Sequence, residues 1–453
     1  MRVAVLFDNF GPYHHARLAA AAGACDLLAV EFGSRSGEYA WAAQGSDKLR
    51  HQVVNPDGPG AAMPAAVFRE RLERILSDFV PAAVVIPGWS NRGGFMAMAW
   101  ARTHRVPIVL MSESTAWDEA RVGWKEWVKR RVVRLSSAAL VGGQPHADYM
   151  CQLGMKEQQV FLGYDAVDND YYRAEAAGWQ KLKTESLKAE SETEEPSLMD
   201  APAINSQPST LNRPPYFLAS NRFIEKKNLF RLLEAYGGCA RNGETLKRGK
   251  AEKRVWDLCL LGDGELKEKL IAHCATLGLH VVESAPWEVS GKTESSFQLS
   301  DLSVSAFPTP TVYFPGFRQV GELPRFYANA GAFVHASTTE QWGLVVNEAM
   351  ASGLPVIVSN RVGCAQDLVQ EGINGFTFDP TDVAQLTDLM VKVSAFPPAT
   401  LSGFGEASQR IVANWGPERF ASGLQAAAAK AATLPLARAG LIDRALLTLL
   451  GNR

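Results

Sequence analysis

At 453 residues the chain exceeds the size that one hydrophobic core usually supports, so two domains of roughly 200 residues are expected. Hydrophobic residues at 47% and charged residues at 21% give the balance of a soluble globular protein and exclude a disordered one. The net charge of -2 exerts no overall pull on nucleic acid, so no nucleic-acid partner is expected and any basic surface must be local.

The six cysteines (Cys25, Cys151, Cys239, Cys259, Cys274, Cys364) are scattered, without a C-x-x-C pair or histidines at zinc spacing. Reduced thiols used as small core residues, in a cytoplasmic setting, are expected. "MRVAVLFD" is too short for a signal-peptide core, and no apolar run reaches the roughly 18–20 residues of a membrane span.

Along the chain, "VAVLF" (3–7), "DLLAVEF" (26–32), "AAVVIP" (82–87) and "PIVLMS" (107–112) read as buried parallel strands. Phe68, Leu72, Ile75, Leu76 and Phe79 recur at helical spacing between them. "AALVGG" (138–143) and "QVFLGYD" (159–165) continue the series. From 174 to 215 the sequence turns to Ser, Glu, Pro and Lys, and a disordered linker or insert is expected. A second series follows in "YFLAS" (216–220), "DLCLLGDG" (257–264), "AFVHAS" (332–337), "PVIVS" (355–359) and "GFTFD" (375–379). The stretch 287–312 reads as a long loop.

The expected organisation is therefore α/β, with two doubly wound, Rossmann-like parallel sheets facing across a cleft. The domains are 1–173 and 216–415, with helices over 416–453 packing back on the first. Ligands bind open α/β sheets at the carboxyl ends of their strands, which favours a nucleotide-type ligand in the cleft.

"TEQWGLVVNEAMASGLPVIVS" (339–359) places Glu340 and Glu348 around a Trp-Gly pair, in a loop running into a helix and then a strand. A helix start suits an anion, because its free N–H groups and positive dipole end point outward. A loop glutamate and a glutamate complementing the helix dipole are the plain alternative.

This stretch resembles the E-x7-E signature of retaining glycosyltransferases of family 4, which have the GT-B fold. Companion segments stand in order. "SNRFIEKKNLFRLLEAY" (220–236) looks like the family's Arg-x4-Lys segment, with Arg222 and Lys227 as the pair, and "LLGDGEL" (260–266) is similar to its Gly-Asp-Gly turn. "FPGFRQVGELPRFYANAGAFVHAS" (314–337) and "GCAQDLVQEGINGFTFDP" (363–380) resemble the flanking segments, with Cys364 where glycine is usual and Asp367 where Glu is.

The resemblance implies transfer of a sugar from a nucleoside-diphosphate sugar to an acceptor hydroxyl on a glycan, lipid or small molecule, with retention and without a metal or other cofactor. Arg222 and Lys227 would stabilise the charge growing on the diphosphate leaving group. Glu340 would lie by the donor sugar with Gln341, Trp342, Gly343 and Leu344, and Glu348 would hold the ribose. Glu340, Arg222 and Lys227 are the implied catalytic set. "DND" (168–170) resembles the Asp-x-Asp metal site of the other major glycosyltransferase fold, but family 4 places a Gly-Val-Asp-like stretch there.

On the acceptor side, Gly11, His14 and Arg17 follow the first strand, and Glu113 stands where many family members carry a histidine. "RVGWKEWVKRRVVR" (121–134), basic and carrying Trp124 and Trp127, suits an anionic membrane surface, against the plainer reading of a solvated helix with inward tryptophans. Two other functions fit the same residues: a sugar-nucleotide epimerase, and an idle nucleotide-sugar-binding scaffold protein.

Overall fold

The computed structural model describes residues 1–34, 49–192, 215–246, 256–288 and 310–452. The first sheet comprises β1 (Arg2–Phe7), β2 (Asp26–Gly33), β3 (His51–Asn55), β4 (Ala83–Pro87), β5 (Ile108–Ser112), β6 (Ala138–Val141) and β7 (Val160–Leu162). Its helices are α1 (Pro12–Ala22), α2 (Ala65–Phe79), α3 (Arg92–Thr103), α4 (Gly123–Leu135) and α5 (Gln144–Gln152), followed by α6 (Asn169–Glu192).

The second sheet comprises β8 (Tyr216–Ser220), β9 (Asp257–Leu261), β10 (His280–Val282), β11 (Thr311–Tyr313), β12 (Ala330–His335), β13 (Val356–Ser359) and β14 (Gly375–Phe378). Around it lie α7 (Leu229–Leu246), α8 (Lys267–Thr276), α9 (Leu323–Asn329), α10 (Leu344–Ala351), α11 (Ala365–Leu368), α12 (Val383–Ser394) and α13 (Pro398–Val412). The chain closes with α14 (Pro417–Thr433) and α15 (Leu441–Gly451).

Among the described residues both sheets are seven-stranded and parallel, ordered β3-β2-β1-β4-β5-β6-β7 and β10-β11-β9-β8-β12-β13-β14. The expected pair of doubly wound sheets is present. Strand order reverses between β1 and β4 and between β8 and β12, and a crevice opens at such switch points. Their central strands are apolar on both faces because helices cover both. Val3, Val5 and Phe7 face one layer and Ala4 and Leu6 the other.

The chain crosses between domains twice. Val167 and Tyr172, at the start of α6, join the second domain's core with Tyr327 and Phe333. Phe420, Leu424 and Ala428 of α14 return to the first sheet against Val3, Val5 and Leu140. The segment from 174 onward is thus not disordered as far as Glu192: it continues α6. Tyr172, Ala176 and Trp179 recur on one helical face, the first two are buried, and Arg325 lies 4.9 Å over the Trp179 ring. That narrow apolar stripe was hidden among Glu, Lys and Ser. The rest of the expected linker (193–214) and most of the expected loop (289–309) lie outside the described residues.

Because α14 supplies one wall of the first domain's core, its side chains carry that domain's stability. Leu424 is fully buried there, and Leu424→Ala should cost about 2–5 kcal/mol, measured as a lowered urea midpoint.

Candidate functional site

The second domain's part of the site grows from the ends of β8 and β12. After β8, Arg222 is half-buried and the turn 225–227 presents Lys226 and Lys227. Asn228 fixes that turn: in the left-handed region at φ 58, its Nδ2 donates to the carbonyls of Ala336 (3.0 Å) and Pro380 (2.8 Å). After β12, the Glu340 backbone pairs with Val362, which seats the loop against the next crossover.

Lys227 Nζ then donates to Glu340 Oε2, Lys226 Nζ lies 3.4 Å from Oε1, and His335 Nε2 is 3.7 Å away. Burial alone pushes the Glu340 carboxyl up. The nearby His335 ring and the charges of Lys227 and Lys226 outweigh it and hold the group well below the usual carboxylate range. Lys227 is lowered by its own burial, partly offset by Glu340, with Lys226 and Arg222 adding repulsion. The cluster is thus rich in positive charge around one fixed carboxylate.

Gly343 opens α10 at φ 97, where a Cβ would also meet Val362 Cγ1 at 2.9 Å, so glycine is required. Trp342 is a packing residue: its ring is buried between Trp415 (5.1 Å) and His146 (5.7 Å), and its Nε1 donates to Asn347 Oδ1 at 2.9 Å. The Gln341 carbonyl is taken by His146 Nε2–H of the first domain at 2.9 Å. Since His146 Nδ1 accepts from the Gly143 N–H (3.1 Å), the imidazole is neutral, as burial also favours. One turn away the Gln144 N–H donates to Asp367 at 3.0 Å. Asp367 thereby faces the start of α5, and burial raises its carboxyl to about 6. This gives the shorter side chain at 367 a role in the seam between domains.

Glu348 is fully buried on α10. Its Oε1 accepts from the Tyr13 hydroxyl of α1 and its Oε2 from Tyr327 at 2.7 Å, with the Tyr172 hydroxyl facing the same carboxylate. Burial nevertheless raises it to about 7. None of these tyrosines stands out in sequence, because each lies on a different helix.

Across the cleft, Glu113 follows β5 and Asp165 follows β7. Burial raises both carboxyls, Asp165 well above its ordinary range, and the negative charge of Glu113 adds to the rise at Asp165. The charge of Glu340, on the second domain, adds a smaller push in the same direction at Glu113. Arg17, expected at the acceptor, is instead buried. Its Nε donates to the Ala166 carbonyl (3.0 Å) and its guanidinium lies 3.9 Å from Asp165, so it balances the acid pair from beneath. His14 Nδ1 accepts from the Gly11 N–H at 3.0 Å, and burial, with Arg17 nearby, lowers the ring to about 3. His14 is therefore a neutral Nε2–H donor and no base. Gly11 itself has extended backbone and caps α1. Asp165 could have been found by the strand-end rule that singled out Glu113.

Asp168 Oδ1 accepts from the Tyr171 N–H at 3.0 Å and Asp170 pairs with Arg173, so the "DND" segment caps α6. Among the described residues no group of three or more His, Cys, Asp or Glu is arranged to hold a metal ion.

Residues 281–399 match the family described as "Glycosyl transferases group 1". The second domain carries a glycosyltransferase family segment. Over 134 residues the chain is 35% identical to the sulfoquinovosyl transferase SQD2 of Arabidopsis thaliana, covering 27% of this chain and 26% of that one. It is 28% identical over 204 residues to the alpha-1,3/1,6-mannosyltransferase alg-2 of Neurospora crassa, covering 45% and 39%. A sucrose synthase of Acidithiobacillus caldus is 35% identical over 109 residues, covering 23% and 14%. The alignments thus span well under half the length of each of these curated relatives.

Among solved structures, Anabaena Alr3699/HepE in complex with UDP-glucose superposes with a TM-score of 0.61 at 15% identity, covering 93% of this chain and 97% of that one. The E. coli trehalose-6-phosphate structure bound with UDP-2-fluoro glucose gives 0.63 at 10% identity, covering 96% and 100%. These likenesses extend over both domains and establish the shared GT-B architecture. The group 1 segment contains Glu340, Glu348 and Asp367, whereas Arg222, Lys227 and the whole first-domain wall lie outside it.

Glu348 gives a pH prediction. Its carboxyl sits near 7 in the folded chain against a usual 4.5, so the folded state holds the proton more tightly. The stability this confers is complete below about 4.5 and is lost as pH rises through about 7, on the order of 3 kcal/mol. Glu348→Gln removes that loss. The variant should gain thermal stability relative to the parent at pH 8 and gain little or none at pH 5, by melting temperature at the two pH values.

Proposed function

We propose that this chain is a retaining, metal-independent glycosyltransferase of the family 4 type, moving a sugar from a nucleoside diphosphate to an acceptor hydroxyl. One observation carries the reading: Lys227 and Glu340 form a largely buried ion pair after β8 and β12, at the switch point of the second sheet, with the charge of Arg222 close enough to act on Lys227. The group 1 match and relatives named for sugar transfer support it.

The diphosphate would enter beside Arg222, Lys226 and Lys227, at the opening of α10. Lys227 already neutralises Glu340 in the free protein, so an arriving phosphate competes for the ammonium rather than meeting it in water. As the glycosidic bond breaks, charge gathers on the leaving oxygen, and cations fixed before the event stabilise it most in the transition state. Glu340, still held by His335 and Lys226, keeps its negative charge beside the sugar, where positive charge develops. Leu344 and its neighbours contribute backbone, because the Trp342 side chain is committed to packing. A ribose reaching Glu348 displaces the Tyr13 hydroxyl, so donor binding and the position of α1 are coupled.

On the acceptor side, Glu113 would accept a hydrogen bond from the attacking hydroxyl, and Arg17, 3.9 Å from Asp165, would offset the negative charge held by the acid pair. His14 donates from Nε2–H nearby. The leaving phosphate takes the acceptor's proton on the same face of the sugar, so no enzyme nucleophile is assigned.

Lys227→Ala removes a charge-assisted contact and should weaken nucleoside-diphosphate binding roughly 10- to 100-fold; unchanged affinity by calorimetry removes Lys227 from the site. Positioning of a hydroxyl contributes to rate rather than to donor affinity. Glu113→Gln should therefore lower acceptor transfer at least about 10-fold while leaving donor affinity within about 2-fold. Transfer at the parent rate would place the acceptor elsewhere, and donor turnover without any acceptor would favour an epimerase.

A further inference from the structure

The basic helix α4 does not turn its tryptophans inward. Trp124 is 59% and Trp127 43% exposed, while Val132, Val133 and Leu135 fill the buried face. Among the described residues they are the only exposed tryptophans. Three residues apart, they share one side of the helix. Helix α15 packs on α3 and meets the last turns of α4, and its outward side is also apolar: Leu441 is 85%, Ile442 56% and Leu449 63% exposed.

Asp443 joins the two helices. It is buried, accepts from Arg131 at 2.8 Å and from Arg134, and these bonds hold its carboxyl down at about 2 against the effect of burial. Arg134 also reaches the Arg438 carbonyl at 3.4 Å. Large apolar side chains left in water over two adjoining helices mark an interaction surface.

Its charge is of one sign. Lys125, Arg130, Arg134, Arg438 and Arg444 are exposed on these helices and the turn between α14 and α15. The acids of the same segments face inward, Asp443 as described and Glu126 onto Lys129, Arg121 and Tyr149. Glu119, exposed in the preceding loop, lies 4.0 Å from Lys125. This local positive excess sits on a chain of net charge -2.

We infer that α4 and α15 together form a surface that rests on an anionic lipid bilayer. Tryptophans suit the headgroup level, leucine and isoleucine the acyl boundary beneath it, and the arginines the negative surface potential. A two-fold contact with a second copy would set the basic rim against itself. Nucleic acid would leave Leu441 and Ile442 unburied. Among the described residues no helix is long and apolar enough to cross a membrane, so the contact is peripheral.

The surface also leads to the cleft. Helix α4 starts just after the loop that begins at Glu113, and Leu450, in the last turn of α15, lines a 280 Å³ cavity with Asp8, Trp89 and Asn91 at the ends of β1 and β4. A bilayer along this face therefore meets the acceptor wall of the cleft.

The test is flotation of the full chain with vesicles of phosphatidylcholine alone or mixed with phosphatidylglycerol. The parent should float with the mixed vesicles, much less with phosphatidylcholine, and less in high salt. Trp124→Ala with Trp127→Ala, and separately Leu441→Glu with Ile442→Glu, should each reduce the bound fraction at least about 10-fold without changing the melting temperature. Brominated lipid should quench parent tryptophan fluorescence and lose most of that effect in the tryptophan variant. A parent that stays in solution, variants that float like the parent, or variants that instead abolish a dimer seen by sedimentation would each overturn the proposal.

Discussion

Everything at the cleft depends on the loop from Thr339 to Gly343 being held from both sides. On its own domain's side, Lys227 grips the Glu340 carboxylate and Val362 pairs with its backbone. On the other, His146 of the first domain caps the Gln341 carbonyl and packs on Trp342. Gly142 and Gly143 allow this approach: a Cβ on Gly142 would meet Trp342 Cε3 at 3.0 Å, and one on Gly143 would run into Asp367. The seam is therefore built from glycine and neutral histidine where a bulkier or charged side would separate the domains. The geometry of the cleft is a property of the closed pair and of neither domain alone.

Charge is stored in this seam at a cost to stability. Glu348 and the Glu113–Asp165 pair are carboxyls raised by burial, and Lys227 is an amine lowered by it. An apolar set would pack the same space more favourably. Groups held in this way carry their desolvation in advance, so under the proposed reaction the fixed cations would act on a developing phosphate charge without reorganising water. The buried Arg17 illustrates the supporting layer: its guanidinium lies 3.9 Å from Asp165, and the acid pair would be harder to keep ionised without that charge.

How much of this was legible in the sequence follows from where the information lies. Long apolar runs such as 26–32 and 107–112 announced buried strands, while β3, β10 and β11 were missed because "HQVVN", "HVV" and "TVY" are too short to show a period. Helix α6 was read as linker since its stripe is only three residues wide. The donor wall was visible because its residues sit in contiguous segments resembling a known signature. The tyrosines about Glu348, Asn228 under Lys227, and the His146 strap were not. All but Tyr327, 21 positions from Glu348, pair residues more than a hundred positions apart or act through a backbone conformation, and neither leaves a local pattern. Arg17 shows the converse failure: its position after β1 was right, but a helix residue can face the core as easily as the cleft.

The two crossings of the chain decide how such a cleft can move. Helix α6 is committed to the second domain and α14 to the first, so relative motion is confined to the short strands of chain at Ala166–Val167 and near Trp415–Gly416. Against that hinge stand a few polar contacts, His146 to Gln341, Gln144 to Asp367 and Tyr13 to Glu348, with Trp117 to Arg361 at 3.4 Å. Each is worth on the order of 1 kcal/mol net, so together they amount to about half of what a micromolar ligand supplies, roughly 8 kcal/mol. Binding in the cleft can therefore break one of these contacts, as a ribose displacing Tyr13 would, and still leave the domains closed. Both crossings are anchored in packed helices, so what yields is the seam and not the cores on either side.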